Sequence, residues 1–476
     1  MSSFAEMKCP MADAARNQPD AAAYIAGNRT WSYAAMDLAV RSAEEWFSRF
    51  DQGDVIAVHS PSAFEVTVIA WACVRRGLVF CPLSLRVPDA TRIKMIEQVG
   101  ARCLVYRDAC PVDDVVESHA IDDIPMSGAS GGGDQGSRVL VTGKPATILF
   151  TSGSSGEPKG VLHVLQSHVA SALASNASLS LGPGDRWLLS LPTYHVGGLA
   201  IMFRCMLAGA TMVLADTSRP MHDVLSRARI THVSLVGAQL AQLIGRSGRL
   251  ESDLAIKHLL LGGGPIDAGL VRRARAQGLP VRCTYGMTEM ASQVATESGH
   301  GGAGMPGSCG RVLSAHDVRV SDRGEIEVRG PARFEGYVSS GELLRPFSEG
   351  GWFATGDCGR VEEDGTLWVN GRSDNMFVSG GENIHPEEIE VVIQREFGIA
   401  PVAVVPVPDA NFGCRAVVFV EESAVATLRQ ALDALRAHLP GFKIPRTVLP
   451  WPREIAWEPT IDRQALAEIA SERSGP

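Results

Sequence analysis

Short apolar runs alternate with longer segments of helical periodicity through the first two thirds of the chain. Runs such as DVIAVHS, ATILFT, WLLSL and HLLLGG have the length and continuous hydrophobicity of strands buried on both faces. Between them, segments such as AFEVTVIAWACVRRG and AGLVRRARAQG repeat their apolar positions with the period of a helix. This alternation predicts an α/β fold in which parallel sheets are covered by helices.

The pattern changes after about residue 305. The segments HDVRVSDRGEIEVRG and GRVEEDGTLWVNGR have the alternation and polar turns of hairpins, which predicts a small β-barrel-like subdomain. From Asp374 to Pro476, helical segments such as PEEIEVVIQREF and strands such as RAVVFVEE are sufficient for a compact α+β unit. We therefore predict a large N-terminal domain, residues 1–373, and a small C-terminal domain, residues 374–476.

Composition narrows the class of protein. A chain of 476 residues is too long for one hydrophobic core. Its net charge of -9, with no run of five basic residues, argues against a nucleic-acid partner. The ten cysteines form no CxxC pair and no metal-ligand spacing. Because we also find no leader pattern and no long uncharged apolar stretch, we expect a cytoplasmic protein without a membrane partner.

The stretch ILFTSGSSGEPKGVLH joins a predicted strand to a string of small residues and a lysine. Backbone N–H groups and small hydroxyls, with a lysine as a point charge, can wrap phosphate oxygens. A Gly/Ser segment alone is often a plain turn, and this one is not a Walker loop because Gly160 and Val161 follow the lysine. The candidate phosphate-binding residues are Thr151, Ser152, Gly153, Ser154, Ser155, Gly156 and Lys159.

With the string TSGSSGEPKG, the chain resembles the adenylate-forming superfamily of acyl-CoA synthetases, peptide-synthetase adenylation domains and luciferases. The blocks LLLGGGPID, TYGMTEM, WFATGDCGR and VNGRSDNMF follow in the family's order, and the resemblance covers nearly the whole chain. It implies a two-step ligase that uses ATP, Mg²⁺ and coenzyme A. A carboxylate attacks the α-phosphorus of ATP to give an acyl-adenylate and pyrophosphate, and a thiol then displaces AMP. Catalysis of the first step is mainly positioning and charge neutralisation.

The resemblance also implies roles for single residues. Taken one at a time, each charged residue would usually be a surface group, so the matched order of blocks carries the assignment. Carboxylates accept hydroxyl hydrogen bonds and guanidinium groups donate several, as a ribose site requires. The implied roles are adenine enclosure by Gly262, Gly263, Gly264, Tyr285 and Gly286, α-phosphate contact by Thr288, Mg²⁺ binding by Glu289, and ribose binding by Asp357 and Arg372.

The same resemblance implies that the small domain is mobile. Asp374 falls where the superfamily pivots this domain between its two half-reactions, and a residue at the end of an element can absorb such a rotation. The segment VSGGENIHPEEIE resembles the loop that moves in for the second half-reaction. There Gly380 and Gly381 would leave room for the pantetheine arm of coenzyme A.

The block WLLSLPTYHVGGLAIMFRCMLAGA resembles the segment that lines the acyl pocket. A lone histidine is more often structural, but in this block His195 would lie beside the carboxylate that is activated. Arg204 stands among apolar residues and is costly to bury unless an anion meets it. The alternatives for Arg204 are an extension to solvent or an ion pair with an internal acid.

Among superfamily members, the chain looks most like the o-succinylbenzoate-CoA ligases of menaquinone synthesis. Their substrate is an aromatic acid with a second carboxylate on a keto chain. The resemblance places Arg204 at the end of the substrate that is not activated, and adds Ser234, Gly262 and Met287 to the pocket.

One block departs from the family pattern. Most members end in GK(I/V)xR, whose lysine bridges the carboxylate and the α-phosphate, whereas here the aligned text IDRQAL places Thr460 at the lysine position. No lysine follows Lys443. Loss of one preorganised donor of this kind costs about 10²- to 10³-fold in rate. Either another cation such as Arg463 or Arg453 substitutes, or the chain is a weakened adenylating enzyme.

Three functions therefore remain open from the sequence. The first is the acid-thiol ligase, with o-succinylbenzoate as the favoured acid. The second is a ligase for another aryl or acyl acid that delivers the adenylate to an amine or a carrier-protein thiol. The third is a non-catalytic nucleotide-binding homologue, favoured by Thr460 but opposed by the intact magnesium and ribose residues. The superfamily's frequent dimers also suggest a homodimer.

Overall fold

The structure, a computed structural model, describes most of the chain. The described residues are 6–108, 115–126, 138–152, 158–214, 218–245, 254–264, 266–298, 308–379, 382–409, 412–455 and 461–474. Among these residues, no helix is both long enough and apolar enough to cross a lipid bilayer.

The helices begin and end where the sequence supplies caps. The hydroxyl of Ser32 accepts a hydrogen bond from the backbone N–H of Ala35, and the carboxylate of Asp267 accepts one from Gly269. Several helices stop at a glycine in the left-handed conformation, such as Gly77 with φ +71°. The helices are α1 Pro10–Asn17, α2 Tyr33–Trp46, α3 Ala63–Arg76, α4 Asp89–Val99, α5 Leu165–Leu179, α6 Val196–Ala208, α7 Met221–Arg227, α8 Gly237–Gly245, α9 Ala268–Ala276, α10 Pro386–Phe397, α11 Glu422–Ala431 and α12 Arg463–Ser474.

Strands separate the helices in the first part of the chain and follow one another after α9. The first group is β1 Glu6–Lys8, β2 Ala22–Ala26, β3 Arg29–Ser32, β4 Val55–His59, β5 Val79–Pro82, β6 Cys103–Tyr106, β7 Glu117–Ala120, β8 Val139–Val141, β9 Pro145–Ser152, β10 Pro158–Val164, β11 Arg186–Leu189, β12 Thr211–Leu214, β13 His232–Leu235 and β14 His258–Leu261. The second group is β15 Val281–Met287, β16 Ser292–Thr296, β17 Ser308–Val312, β18 Asp317–Val320, β19 Glu325–Arg329, β20 Gly336–Ser339, β21 Glu342–Leu344, β22 Phe353–Val361, β23 Thr366–Arg372, β24 Phe377–Ser379, β25 Glu382–Ile384, β26 Val402–Asp409, β27 Gly413–Val420 and β28 Thr447–Pro450.

These strands form two large sheets, a smaller C-terminal sheet and the pair β1–β8 within the described residues. One large sheet has the order β21-β20-β10-β9-β5-β4-β6-β7, with β9, β5, β4, β6 and β7 parallel. The other has the order β18-β19-β22-β23-β17-β16-β15-β14-β13-β11-β12-β2-β3. Its middle is parallel, and the hairpin strands predicted from the sequence continue it as an antiparallel extension. The predicted α/β fold class is confirmed.

The largest hydrophobic core lies between the two large sheets. It combines residues of both sheets with residues of α1, α2, α3, α5 and α6, such as Phe80 from one sheet and Trp187 from the other. Helices α7, α8 and α9 cover the second face of the longer sheet, and α4 covers the second face of the shorter one. Because both faces of the parallel strands are buried, their sequences are continuous apolar runs rather than alternating ones.

The C-terminal sheet contains β24 to β28 and is covered on both faces. Helices α10 and α11 pack on one face and α12 on the other. A largely buried ion pair joins α10 to α12, because Arg463 Nη1 and Nη2 lie 2.6 and 2.9 Å from the two carboxylate oxygens of the buried Glu390. Arg463 also donates to the carbonyl of Val404, so the guanidinium is bound within this unit.

We expect Arg463→Met to destabilise the C-terminal unit by about 3–5 kcal/mol, because it leaves Glu390 buried without its cation. Replacement of both partners in Glu390→Leu/Arg463→Met should recover most of this loss. Denaturant unfolding of both variants measures the difference. A loss below about 1 kcal/mol in Arg463→Met would contradict a structural role for the pair.

Candidate nucleotide and acid site

The parallel strands of the longer sheet bring most of the predicted site residues to one edge. Strands β11, β13, β14 and β15 are mutually parallel neighbours, so their carboxyl ends lie side by side. In open α/β sheets, ligands bind in the crevice at this edge. The residues that follow these strands include His195 after β11, Gly262 after β14 and Thr288 after β15.

The three-glycine segment after β14 borders a cavity of about 80 Å³ at this edge, which Val236 and Ile266 also line. A Cβ at Gly262 would lie 2.8 Å from the side chain of Thr284, so only glycine permits this close approach of β14 and β15. Gly263 has φ +82°, and a Cβ at Gly264 would meet open space. The backbone at this edge is therefore accessible to a flat ligand.

A chain of polar contacts joins Tyr285 to Asp357 and Arg372. The hydroxyl of Tyr285 donates to Asp357 Oδ2 at 2.6 Å, and Arg372 Nη1 lies 3.3 Å from Asp357 Oδ1. Asp357 and Arg372 are also cross-strand partners in β22 and β23. Burial raises the pKa of Asp357, while the bonds from Tyr285 and Arg372 oppose that rise. The three predicted adenine and ribose residues are thus in one contiguous cluster.

A second cluster surrounds Glu289, in the tight turn between β15 and β16. The hydroxyl of Tyr337 donates to Glu289 Oε1 at 2.8 Å, and Lys159 Nζ lies 5.5 Å from the centre of the Tyr337 ring. Burial raises the pKa of Glu289, and the Tyr337 hydrogen bond opposes it. Across the β9–β10 ladder, Lys159 pairs with Thr151. A lysine, a carboxylate and a strand end, all predicted from the sequence to lie near phosphates or magnesium, are thus linked through Tyr337 and the β9–β10 ladder.

This cluster fits a magnesium ion bound together with nucleotide. Mg²⁺ usually takes one or two carboxylates plus phosphate oxygens rather than a complete protein cage. Within the described residues, no group of three or more histidine, cysteine or acidic side chains is arranged to hold a metal. Glu289 as a single carboxylate ligand is consistent with this mode.

The acid side of the edge contains His195 and Ser234. His195 stands at the start of α6, exposed on one side, and partial desolvation together with the charge of Arg86 lowers its pKa. Ser234 is buried, and among the described atoms its hydroxyl has no hydrogen-bond partner. The hydroxyl of Ser190 donates to the carbonyl of Ser234 at 2.5 Å and thereby fixes the end of β13. Met287 lies next to Tyr285, whose hydroxyl is 4.0 Å from its sulfur.

Arg204 is buried in α6, with only 2% of its surface exposed. Its Nη2 donates to Ser292 Oγ at 2.9 Å, and its guanidinium carbon lies 5.2 Å from the centre of the Trp187 ring. Among the described residues it forms no ion pair with a carboxylate, and its Nε has no hydrogen-bond partner. Burial lowers its pKa to about 10, which leaves it protonated at neutral pH. Neither extension to solvent nor pairing with an internal acid is therefore observed.

Several predicted residues lie outside the described residues. These are Gly153, Ser154, Ser155 and Gly156 of the phosphate segment, Gly380 and Gly381 of the coenzyme A segment, and Thr460. Asp374 is described, and its exposed carboxylate lies 2.8 Å from Arg372 Nη2. Arg463 is engaged by Glu390, so it could substitute for the absent lysine only by breaking that buried pair.

Sequence reasoning missed two residues that contact the predicted site. Tyr337 reaches Glu289 from β20, and His163 Nε2 lies 2.8 Å from the backbone carbonyl of Thr288. Both contacts join residues far apart in the chain, and neither residue has a local pattern that predicts its partner. Only the antiparallel pairing of β10 with β9 and β20 places them here.

Comparison with known proteins gives a consistent result. The family model described as AMP-binding enzyme matches residues 11–338. The chain is similar to the 2-succinylbenzoate--CoA ligase of Geobacillus sp. (strain WCH70), with 35% identity over 316 residues, which is 64% of each chain. It is similar to the ligase of the same name from Bacillus licheniformis, with 28% identity over 465 residues, 90% of this chain and 92% of the relative.

A solved structure resembles this chain over nearly its whole length. The o-succinylbenzoate CoA synthetase from Bacillus subtilis, in complex with the acyl-adenylate intermediate OSB-AMP, superposes with a TM-score of 0.86 at 27% identity. The match covers 97% of this chain and 98% of that one. The likeness therefore extends over the C-terminal sheet as well as the two large sheets.

We expect Tyr337→Phe to move the loss of Mg²⁺-dependent ATP binding to higher pH. The Tyr337 hydrogen bond lowers the pKa of Glu289 against its burial, so removing it raises that pKa further. The carboxylate then becomes protonated at a higher pH as the solution is acidified. A hydrogen bond to a charged group corresponds to a shift of about one unit or more.

Calorimetric titration of ATP with Mg²⁺ across acidic and neutral pH measures this shift. Tyr24→Phe is a matched control, because the Tyr24 hydroxyl is also buried but, among the described atoms, has no hydrogen-bond partner. An unchanged binding profile in Tyr337→Phe would show that this bond does not tune Glu289.

Proposed function

The chain belongs to the AMP-binding enzyme family, and we propose that it is an AMP-forming acid-CoA ligase that converts 2-succinylbenzoate to its CoA thioester. This activity would place it in menaquinone biosynthesis, as the sequence resemblance implied. Its substrates are ATP, the carboxylic acid and coenzyme A.

The observation that carries the choice of acid is the buried cation Arg204. A guanidinium in an apolar surrounding is stable only when something anionic or several hydrogen-bond acceptors meet it. Ser292 supplies one acceptor, and among the described residues no carboxylate supplies the charge. An acid with a second carboxylate would neutralise this cation while its first carboxylate reacts. The buried Ser234 hydroxyl, which has no hydrogen-bond partner among the described atoms, offers a further polar contact for such a substrate.

In the first half-reaction, a carboxylate oxygen of the acid forms a bond to the α-phosphorus and pyrophosphate leaves. We propose that Tyr285 lies against adenine and that Asp357 and Arg372 hold the ribose hydroxyls. Thr288 contacts the α-phosphate, and Lys159 with the strand end at Thr151 contacts the outgoing phosphates. His195, uncharged at neutral pH because its pKa is lowered, positions the attacking carboxylate without adding charge. Glu289 would hold Mg²⁺, which neutralises phosphate charge when bound.

In the second half-reaction, the thiol of coenzyme A attacks the acyl carbon and AMP leaves. We propose that residues 374–476 rotate about Asp374 for this step and bring Gly380 and Gly381 to the thiol. The exposed position of Asp374, between β23 and β24, supports this role, because a surface residue between two sheets can absorb a backbone rotation. Cytoplasmic localisation and a homodimer remain predictions, and sedimentation of the purified chain tests the dimer.

Thr460 supports a second candidate, in which the first half-reaction is weakened and the thiol step survives. Arg463 is engaged by Glu390, so it would have to leave that pair to replace the absent lysine, and this supports the weakened first half-reaction. A ligase that delivers another aryl or acyl acid to an amine or a carrier thiol would differ from both in needing no coenzyme A.

We expect wild-type protein to release pyrophosphate from ATP with 2-succinylbenzoate, and Thr460→Lys to release it about 10²-fold faster or more. The measurement is pyrophosphate release with ATP, Mg²⁺ and a panel of aryl and acyl acids, with and without coenzyme A. Release by the lysine variant alone would establish the weakened enzyme. If neither protein releases pyrophosphate with any acid, the proposed substrate is refuted. Amide or carrier-thioester products formed without coenzyme A would favour the ligase that delivers its adenylate to an amine or a carrier thiol.

We expect Arg204→Met to raise KM for 2-succinylbenzoate by about 10- to 100-fold, because charged hydrogen bonds contribute about 1.5–3 kcal/mol. The KM for an aryl acid without the second carboxylate should stay unchanged. Arg282→Met is a matched control, because Arg282 is also buried but donates to the carbonyl of Ser178. Equal losses for both acids, or equal losses in both variants, would contradict a substrate-binding role for Arg204.

A further inference from the structure

The turn that carries Thr288 and Glu289 is held by a series of buried polar side chains. We call His163, Ser171 and Ser175 the polar row. His163 Nε2 lies 2.8 Å from the carbonyl of Thr288, and the hydroxyl of Ser171 donates to the carbonyl of Ala291 at 2.9 Å. The hydroxyl of Ser175 donates to the side-chain oxygen of Gln293 at 2.6 Å. Together they contact three positions within the segment Thr288–Gln293.

The spacing of the row follows from the elements that present it. Ser171 and Ser175 are one helical turn apart on α5 and therefore face the same side. His163 lies on β10, just before α5 begins. All three side chains are buried, and burial lowers the pKa of His163 to about 4. His163 is therefore neutral at physiological pH and, with the proton on Nε2, donates to the Thr288 carbonyl.

The held segment has an unfavourable backbone. Ala291 and Ser292 adopt φ +50° and +123°, a region that residues other than glycine rarely occupy. The carbonyl of Ser292 also lies so close to Gly286 that a Cβ there would be 2.2 Å away. Such a conformation persists only when its surroundings over-determine it. The hydrogen bonds of the polar row hold this backbone from one side, and the pairing of β15 with β16 holds it from the other.

We propose that His163, Ser171 and Ser175 are positioning residues that fix the turn in the conformation in which Thr288 and Glu289 meet the nucleotide. In this role they act through the turn, by way of the Thr288 and Ala291 carbonyls and the Gln293 side chain, rather than by contact with substrate or metal. This inference rests on the proposed function for the roles of Thr288 and Glu289, but its binding test does not require turnover.

Three variants test the row. His163→Leu removes the donor to Thr288, whereas His163→Gln keeps a nitrogen donor at similar reach. Ser171→Ala removes the bond to Ala291 with little change in volume and guards against a folding failure in His163→Leu. Thr211→Val is the matched control, because it removes a hydroxyl-to-carbonyl bond of 2.8 Å to Ala22 at a position remote from the turn.

The first readout is the affinity for ATP in the presence of Mg²⁺, measured by calorimetry on folded protein. Loss of a group that orients a metal ligand, without itself binding the metal, lowers metal affinity or activity by about 10- to 100-fold. We expect that loss in His163→Leu and Ser171→Ala, recovery in His163→Gln, and no loss in Thr211→Val. The second readout is pyrophosphate release, where kcat should fall while KM for the acid stays unchanged.

Unchanged ATP affinity in both disruptive variants, with only a lower melting temperature, would overturn the proposal and leave the row purely structural. An equal loss in Thr211→Val would overturn it as well. If no acid supports pyrophosphate release even in wild type, the proposed function fails, but the ATP affinities of the variants still decide the role of the row.

Discussion

The parallel pairing of β11, β13, β14 and β15 is the constraint on which the site depends. Strands buried on both faces use their backbone groups within the ladder, so polar function is confined to the segments that leave their carboxyl ends. Because neighbouring ends lie about 5 Å apart, residues separated by tens of positions in sequence converge there. Histidine, serine, glycine and threonine positions from four separate blocks, those of β11, β13, β14 and β15, reach one edge by this geometry.

The antiparallel extension of the same sheet completes the site. Strands β22 and β23 bring Asp357 and Arg372 to Tyr285, so the residues proposed to bind adenine and ribose form one hydrogen-bonded group. The shorter sheet approaches from the other side and contributes Lys159 and Tyr337 to the surroundings of Glu289. The residues proposed to bind the nucleotide thus come from two sheets that share a core of helices. Packing of those helices therefore controls the distance between the residues proposed for the ribose and those proposed for the phosphates.

Buried polar groups are concentrated around the turn after β15. Arg204, Ser171, Ser175 and His163 all contact the segment Thr288–Gln293, in a region where an unpaired polar atom is costly. Hydrogen bonds of this kind fix one conformation of the turn more strongly than apolar packing alone does. Arg204 differs from the other members because its charge has no counterpart among the described residues. Arg204 thus links the turn proposed to meet the nucleotide to the pocket proposed for the acid.

The sequence by itself determined the fold class and the ordered blocks. The spacing of apolar residues within one segment indicates which of its faces is buried. The functional residues of each block lie within a few adjacent positions, as in TYGMTEM. The sequence also showed Thr460 at the position where the family pattern has lysine, because this is a matter of residue type and needs no structure. Only the tertiary structure decided which groups meet across the fold, such as the His163 side chain and the Thr288 carbonyl, 125 residues apart. It likewise placed Arg463 on Glu390 and, among the described residues, gave Arg204 no acidic partner. Such contacts depend on how sheets and helices pack, and no pattern within one segment encodes its distant partner.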